Sequence, residues 1–397
     1  MKILMINEEC GTGSTGRICT DIAMALESDG NEVKIAYGRN ADIVPEQYDK
    51  YAVRIGNDID LKIHGAITRA FDATGFGSIT ATKKFIQWIY QFNPDIIHLH
   101  NLHGYYINID LLFDCLKKIN KPIIWTLHDV WPFTGHSAYC DAVGCSKWKK
   151  GCEHCPQMKV YPKSYIDRSK KNWKKKRDIF NGVANLTIVT PSKWLAELVK
   201  DSFLNEYSIK VINNGIDTEK FHKVSTHLKV DLGLQKEKVL LSVATVWNDL
   251  KGLNDFEQLS GVLDSDYKII LVGGMTENQE NNLPESILHI RRTQDINEMV
   301  ELYNIADVYL NLTYCDTYPT VNLEAASCGT PVITYAVGGS TESAEMCGGI
   351  SVPRGDVEAV ARAVKESAKL KVTIPNEYNL DKKHAIRKYI ELYRGVI

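Results

Sequence analysis

The 397-residue chain has no apolar run near the length of about 18 to 20 residues that a membrane-spanning helix needs. It has little excess of either charge sign, because 47 Lys and Arg face 49 Asp and Glu, and it has no low-complexity tract. These absences exclude a membrane-embedded or disordered chain and indicate a soluble globular protein. Because Met1 to Ile6 already form a strand pattern, we expect no export signal.

Ten cysteines are present. Without an export signal the expected compartment is reducing, so we interpret them as thiols rather than disulfides. The length exceeds what one hydrophobic core usually serves, which favours two domains.

Short apolar runs of strand length alternate with helical patterns along the chain, which is typical of parallel sheets covered by helices on both faces. The turn at Asn213 to Gly215 and the polar stretch 217–234 separate two such series. We therefore predict an α/β fold of two doubly wound units, residues 1–217 and 218–380, with a C-terminal helix over 381–397 completing the first. The predicted strands are Ile3 to Ile6, Val33 to Tyr37, Ile96 to Leu99, Ile123 to Leu127, Thr187 to Thr190, Ile209 to Ile212, Val239 to Ala244, Lys268 to Val272, Val308 to Asn311 and Pro331 to Tyr335.

A glycine-rich segment, Gly11-Thr-Gly-Ser-Thr-Gly16, lies between the first strand and a predicted helix from Ile18 to Leu26. Its spacing fits a dinucleotide fingerprint, but the second strand ends near Arg39 rather than at the acid that holds a ribose. Arg39 would suit the 2′-phosphate of NADP. A nicotinamide site, a plain tight turn and a loop beside another diphosphate all remain open.

The segment 311–333 carries two carboxylates eight positions apart. Asp316 lies in the loop after a strand, and Glu324 lies one turn inside a helix that begins near Thr320. Both can face a ligand whose phosphate lies on the free N–H groups at the helix N-terminus. The alternative is an ordinary helix-capping Asp with a solvated Glu.

These acids, followed by Gly329-Thr-Pro331 and Gly338-Gly339-Ser340, closely resemble the signature of retaining GT-B glycosyltransferases of family 4. The resemblance implies two Rossmann-like domains facing across a cleft, with the nucleotide sugar held by the C-terminal one. It also implies that Glu324 holds the ribose and Asp316 contacts the donor sugar.

Two positions depart from the family pattern. Asp316 stands where Glu is commoner, and Pro319 stands where Gly is usual. Because proline has no N–H, the N–H groups of Thr320 and Val321 become the expected phosphate donors.

The segment Trp247 to Gly252 resembles the diphosphate loop of the family, in which Lys251 matches and Thr245 replaces the usual Arg. The expected replacement cation is Arg17 at the end of the glycine-rich segment. The donor-binding set predicted there is Gly13, Ser14, Thr15, Gly16 and Arg17.

Two histidine motifs follow strands in the N-terminal half, His98-Leu-His100-Asn-Leu-His103 and His128-Asp129. A metal site is one interpretation, but we favour histidines that line a sugar-binding crevice, because a strand sends alternate side chains to one face. His128-Asp129 is similar to a motif of capsule and colanic-acid-type glycosyltransferases, where it lies beside the donor sugar. We assign His128 to the catalytic set, with Lys251, Asp316 and Glu324, and assign His100, His103 and Asp129 to the acceptor.

A cysteine-rich insertion, residues 136–160, contains Cys140, Cys145, Cys152 and Cys155. The spacing C-x4-C-x6-C-x2-C predicts a structural zinc site in which Cys140 fits least well. Free thiols and a redox pair are the alternatives.

Residues 146–177 contain twelve Lys and Arg but only two acids, Glu153 and Asp167. A solvated helix face would explain the charge. We favour binding of segment 163–177, with Trp173 as an interfacial ring, to anionic lipid headgroups. Nucleic acid is not expected, because no nucleic-acid-binding module accompanies the charge.

The sequence therefore predicts a retaining glycosyltransferase that moves a sugar from a UDP- or GDP-sugar to a glycan acceptor, expected to be lipid-linked, in bacterial surface polysaccharide synthesis. It would act on the inner face of the cytoplasmic membrane, with no metal required for catalysis. A nucleotide-sugar epimerase or phosphorylase of the same fold is an alternative, as is an NADP-dependent oxidoreductase.

Overall fold

The computed structural model describes residues 1–367, 372–374 and 379–397. They form two compact units, Met1–Ile212 with Ile386–Ile397, and Asn213–Ala385. The division thus falls at 212/213, slightly before the predicted 217/218. No helix within the described ranges is long and apolar enough to cross a membrane.

The first unit is built on a seven-stranded parallel sheet in the order β3-β2-β1-β4-β5-β6-β7. The order reverses at β1, so the loops after β1 and β4 flank the point where ligands bind in such sheets. The strands are β1 (Lys2–Ile6), β2 (Glu32–Tyr37), β3 (Ala52–Arg54), β4 (Ile96–Leu99), β5 (Ile123–Thr126), β6 (Leu186–Thr190) and β7 (Ser208–Val211). The helices are α1 (Gly13–Ser28), α2 (Asp58–Phe71), α3 (Ile79–Phe92), α4 (Ile109–Ile119), α5 (Ser169–Phe180) and α6 (Lys193–Lys200).

The second unit has a six-stranded parallel sheet in the order β10-β9-β8-β11-β12-β13. Its order reverses at β8, which places the loops after β8 and β11 side by side. The strands are β8 (Lys238–Val246), β9 (Tyr267–Gly274), β10 (Ile287–Ile290), β11 (Val308–Asn311), β12 (Val332–Tyr335) and β13 (Ile350–Val352). The helices are α7 (Leu228–Asp231), α8 (Leu253–Val262), α9 (Glu277–Asn281), α10 (Ile296–Ile305), α11 (Thr320–Ser327), α12 (Ser340–Glu345) and α13 (Val357–Glu366).

The last helix, α14 (Lys382–Gly395), ends in the first unit, where Tyr389 and Tyr393 are buried. Tyr393 Oη lies 2.6 Å from His98 Nδ1, and Tyr389 Oη lies 3.2 Å from Thr126 Oγ1. These contacts attach the end of the chain to β4 and β5.

The predicted strands are all present, but the sequence missed β3, β10 and β13. All three are edge strands of three or four residues, and each is at least partly exposed. An edge strand pairs with a neighbour on one side only and is partly exposed to solvent, so it needs no long apolar run.

Candidate active site

The second unit brings Lys251 and Asp316 together at the carboxyl ends of β8 and β11. Lys251 ends a short 3₁₀ helix, Asp249–Lys251, whose preceding residue Asn248 accepts a hydrogen bond from the Lys251 N–H. Lys251 Nζ lies 3.5 Å from Asp316 Oδ2, and both side chains remain partly exposed, at 38% and 25%. The pair can therefore meet a ligand.

The two loops that carry this pair are joined through their backbones. The Tyr314 N–H donates to the Leu250 carbonyl oxygen at 2.8 Å. Gly252 has φ +75°, and a Cβ there would overlap the Leu312 carbonyl oxygen, so the close approach requires glycine.

Asp316 is held by its backbone as well as by its side chain. Its carbonyl oxygen accepts from the Gly339 N–H at 3.0 Å, and its Oδ1 accepts from the Tyr318 N–H at 3.1 Å. A Cβ on Gly338 would overlap that same carbonyl oxygen. The predicted Gly338-Gly339 motif thus positions the first acid.

Helix α11 begins at Thr320, as predicted, and Val321 follows it. Pro319 is the N-cap residue, no side chain caps the helix, and its first turn contains no acid. The positive end of the helix dipole can therefore attract a bound anion. The buried Asn322 fixes the helix, because its side chain bonds Asn311 and Ser343, each at 2.9 Å.

Glu324 lies one turn into α11 and accepts a hydrogen bond of 2.9 Å from the Tyr303 hydroxyl. Burial, reinforced by the Glu324 charge, raises the pKa of Tyr303 well above its usual value, so the phenol stays a donor. Tyr303 could not be assigned to the site from the sequence, because a tyrosine in α10 gives no local signal of contact with α11. Thr245 lies near the end of β8 and is exposed.

The first unit brings all four predicted loop residues together as two pairs, each joining the loop after β4 to the loop after β5. His103 Nε2 lies 2.7 Å from Asp129 Oδ2, and His100 Nδ1 lies 3.0 Å from His128 Nε2. The Trp131 N–H donates to Asp129 Oδ1 at 2.8 Å, which fixes the carboxylate.

The two pairs differ in charge. Burial opposes a charged His103, but the charge and hydrogen bond of Asp129 outweigh it and raise the His103 pKa. Burial also opposes the Asp129 charge, yet His103 and the Trp131 N–H lower the Asp129 pKa. Burial lowers the pKa of His128 to about 4 and that of His100 well below its usual value. The contact with Asp129 thus favours the charged form of His103, whereas the second pair is neutral near pH 7.

The predicted glycine loop is largely helical, which corrects the expected start at Ile18. Helix α1 begins at Gly13, so the predicted donor residues form its first turns: Gly13, Ser14, Thr15, Gly16 and Arg17. Glu9 accepts a hydrogen bond from Thr12, and its carboxylate occupies the space where a Cβ of Gly13 would lie. A diphosphate here would meet this acid, and the donor role of these residues stays a prediction.

Arg39, which suggested NADP, lies 3.6 Å from the Glu8 carboxylate. That contact gives the guanidinium an internal partner.

The four cysteines of the insertion, Cys140, Cys145, Cys152 and Cys155, line one cavity of about 20 Å³. The Gly135 N–H donates to Cys152 Sγ at 3.2 Å. Among the residues that the structure describes, no three His, Cys, Asp or Glu side chains are arranged to hold a metal ion. The insertion also joins the main core, because the buried Trp148 packs on Phe133 with ring centroids 4.9 Å apart.

The structure corrects the predicted lipid-binding role of Trp173 and Lys176, since both are buried. The Trp173 indole N–H donates to the Trp148 carbonyl oxygen at 2.8 Å. Lys176 Nζ donates to the carbonyl oxygens of Trp131 and Thr134, 3.4 Å from the centre of the Trp131 ring. Neither can reach a headgroup from this position.

Comparison with known proteins identifies the relatives of the chain. Residues 15–220, slightly more than half of the chain, match the family model Glycosyltransferase Family 4, and residues 237–369 match Glycosyl transferases group 1. The putative colanic acid biosynthesis glycosyl transferase WcaC of Escherichia coli K12 is 26% identical over 373 residues, covering 90% of this chain and 88% of that protein. The N,N'-diacetylbacillosaminyl-diphospho-undecaprenol alpha-1,3-N-acetylgalactosaminyltransferase of Campylobacter jejuni is 23% identical, covering 59% and 64%.

Solved structures share the fold. Sucrose-phosphate synthase from Thermosynechococcus elongatus has a TM-score of 0.72 at 16% identity, covering all of this chain and 98% of the other. Anabaena HepE in complex with UDP has a TM-score of 0.69 at 15% identity, with full coverage of both chains. The predicted GT-B fold, two Rossmann-like parallel-sheet domains, is thereby confirmed.

Proposed function

The chain belongs to glycosyltransferase family 4, and we propose that it transfers a sugar from a nucleoside diphosphate to a glycan acceptor with retention at the anomeric carbon. The observation that carries this proposal is the grouping of Lys251, Asp316 and the N-terminus of α11 at adjacent strand ends. For a sugar diphosphate, Lys251 supplies a cation, Asp316 accepts hydrogen bonds from sugar hydroxyls, and the first turn of α11 supplies N–H donors.

The nucleotide occupies the second unit in this proposal. The Glu324 carboxylate, oriented by Tyr303, accepts hydrogen bonds from the ribose hydroxyls. The N–H groups of Thr320 and Val321 face the diphosphate, and Asp316 accepts from a hydroxyl of the transferred sugar. UDP and GDP are the expected nucleotides.

Charge stabilisation is the main catalytic task. As the bond from sugar to phosphate breaks, negative charge grows on the diphosphate and positive charge on the sugar ring. Lys251 and the α11 N-terminus stabilise the diphosphate in place before the reaction, so little reorganisation is needed. The chain's own groups supply this charge, so the proposal requires no catalytic metal.

The first unit binds the acceptor in this proposal. Asp129 and the Tyr161 hydroxyl engage the two ring nitrogens of His103, at 2.7 and 3.0 Å, so His103 positions these two groups for acceptor hydroxyls. His100 and a neutral His128 provide uncharged contacts.

The biological acceptor is proposed to be a lipid-linked glycan in bacterial surface polysaccharide synthesis, at the cytoplasmic face of the membrane. The names of the Escherichia coli and Campylobacter jejuni relatives support this choice, since they refer to colanic acid and to an undecaprenol diphosphate.

Structural zinc in the insertion is proposed separately from catalysis. Burial raises the pKa of Cys152 to about 11, so its thiol is neutral alone and would lose its proton on binding a cation. Cys145, Cys152 and Cys155, with Cys140, would close around the cavity they line.

Product stereochemistry tests the proposed reaction. The protein would be incubated with α-linked UDP- and GDP-sugars and a lipid-linked acceptor, and the new linkage examined by NMR. An α-linkage supports retention, whereas a β-linkage refutes it. Sugar isomerised without acceptor would indicate an epimerase, consumption of inorganic phosphate a phosphorylase, and oxidation of NADPH an oxidoreductase.

A further inference from the structure

Helix α2 leaves a stripe of large apolar side chains exposed beside its buried residues. Its buried residues are His64 and Thr68, and Leu61 packs against the core. Four large apolar side chains recur every four positions along the neighbouring flank of the helix, with exposed fractions of 67%, 54%, 40% and 46%: Ile59, Ile63, Ile67 and Phe71. An amphipathic helix on a globular protein ordinarily buries such a stripe.

The inward face of α2 is fixed by specific contacts of His64. Its Nε2 accepts from the N–H groups of Gly75 and Gly77 at 3.2 and 3.1 Å, and its Nδ1 lies 3.0 Å from Ser78 Oγ. Burial lowers the His64 pKa to about 4, so the ring stays neutral and can accept. These bonds hold the apolar stripe on the outside.

The segment 163–168 extends this stripe. The Tyr165 N–H donates to the Arg69 carbonyl oxygen at 2.8 Å, which places the segment at the end of α2. Tyr165 is 82% exposed and Ile166 is 46% exposed. Six exposed apolar side chains therefore lie on α2 and on the segment bonded to its last turn.

Cations accompany this surface. The Arg69 guanidinium lies 5.6 Å from the Tyr165 ring centre, and that of Arg168 lies 5.3 Å from the Phe71 ring centre. Lys62 belongs to α2 and Lys163 begins the segment 163–168, and both are exposed. We define the α2 face as Ile59, Lys62, Ile63, Ile67, Arg69, Phe71, Lys163, Tyr165, Ile166 and Arg168.

The neighbouring acids are engaged locally. Asp58 pairs with Arg54, Asp60 accepts from the Asn57 N–H in a capping box, and Asp167 accepts from the N–H groups of Cys155 and Ser169. The α2 face therefore offers cations beside apolar side chains without an equal number of available acids.

We propose that the α2 face docks on an anionic lipid surface. Apolar side chains with cations at their margin complement the boundary between acyl chains and anionic headgroups. A second copy fits less well, because a two-fold contact would place the same cations against each other. The inference rests on the proposed lipid-linked acceptor, which this docking would bring within reach.

Vesicle sedimentation of the full chain tests the proposal. We expect binding to vesicles of phosphatidylglycerol and phosphatidylcholine, with weak binding to phosphatidylcholine alone. The triple variant Ile63→Gln, Ile67→Gln, Phe71→Gln should bind roughly tenfold less. Its matched control replaces three exposed aliphatic side chains of the second unit, Val230→Gln, Val262→Gln and Ile296→Gln, and should bind as the unchanged protein does.

The charge contribution is tested with Arg69→Gln, Lys163→Gln, Arg168→Gln. This variant should lose roughly tenfold in binding to anionic vesicles, and added salt should reproduce the loss. The control Lys170→Gln, Lys171→Gln, Lys174→Gln removes as much charge from α5 and should change binding less than twofold. A larger loss from the α5 control than from the α2 variant would overturn the proposal.

Two further measurements distinguish lipid docking from self-association and from failure of the proposed function. Light scattering should give the same mass for the unchanged protein, the variant Ile63→Gln, Ile67→Gln, Phe71→Gln and its control in the second unit. A halved mass for the Ile63, Ile67 and Phe71 variant alone would make the α2 face an interface between copies and overturn the proposal. Transfer to a water-soluble acceptor analogue should be unchanged in the α2 variant. If no transfer occurs in any protein, the proposed function fails, whereas the vesicle result still decides the docking.

Discussion

Lys251 Nζ lies 3.5 Å from Asp316 Oδ2, although 65 positions separate the two residues. Each side chain is thus the other's partner before any ligand arrives. In the proposed function a donor separates them, with the diphosphate contacting Lys251 and the sugar contacting Asp316. The pair consequently keeps both groups in position while no donor is bound.

Lys251→Ala should lower kcat roughly a hundredfold, because the charge on the leaving diphosphate loses its cation. The expected loss is larger in kcat than in the donor KM, since the charge grows during the reaction. Steady-state kinetics would measure both. The control Lys236→Ala removes an exposed lysine of the same unit and should leave both unchanged; equal kinetics for the two variants would remove Lys251 from the site.

Glu324→Ala should raise the donor KM roughly tenfold while the fold persists, because the ribose loses its acceptor. Tyr303→Phe should raise it less, since the carboxylate remains but loses one orienting hydrogen bond. Donor titrations of both variants and of the control Glu345→Ala would show this order. A Tyr303→Phe effect larger than that of Glu324→Ala would contradict the assigned roles.

The His103–Asp129 pair should make stability depend on pH. The raised pKa of His103 contributes stability that is complete below its unfolded pKa of about 6.5 and is lost as pH rises through the folded value. The lowered pKa of Asp129 contributes stability above about pH 4 that is lost in acid. Asp129→Asn should therefore cost roughly 3 kcal/mol of unfolding free energy at pH 6 and less at pH 9.

Denaturant unfolding at the two pH values would measure this difference. The exposed control Asp178→Asn should cost little at either pH. A cost for Asp129→Asn that does not shrink from pH 6 to pH 9 would show that His103 carries no charge in the folded protein.

Zinc analysis tests the insertion. Protein purified without a histidine tag should contain about one zinc per chain, and Cys152→Ser should lose most of it. Cys115→Ser, which alters a buried cysteine of α4, should retain the metal. A zinc content near zero, with all thiols reactive after mild denaturation, would refute the zinc site and show that the four cysteines are free thiols.

Local patterns predicted the donor-side elements well. The apolar run of β11, the loop with Asp316 and the start of α11 at Thr320 all follow from adjacent residues. The burial of polar side chains could not be predicted from adjacent residues. Lys176 can be buried because carbonyl oxygens of Trp131 and Thr134, more than 40 positions away, accept hydrogen bonds from its Nζ.

Helix α2 is a second case in which adjacent residues do not decide burial. The spacing of Ile59, Ile63 and Ile67 marks an apolar stripe, yet the stripe is exposed and His64 is buried, where it accepts from backbone N–H groups of the following loop. Only tertiary contacts decide such an orientation, because sequence periodicity gives the stripe without its direction.

The proposed function requires that the second unit bind a nucleotide sugar through Glu324 and Lys251. Thermal unfolding with UDP-, GDP- and ADP-sugars and with NADPH tests it most directly, because a ligand of the folded state raises the Tm with its concentration. We predict that one class of nucleotide sugar raises the Tm of the unchanged protein, and that Glu324→Ala and Lys251→Ala weaken the shift. Stabilisation by NADPH alone, or an equal shift in all three proteins, would contradict the account.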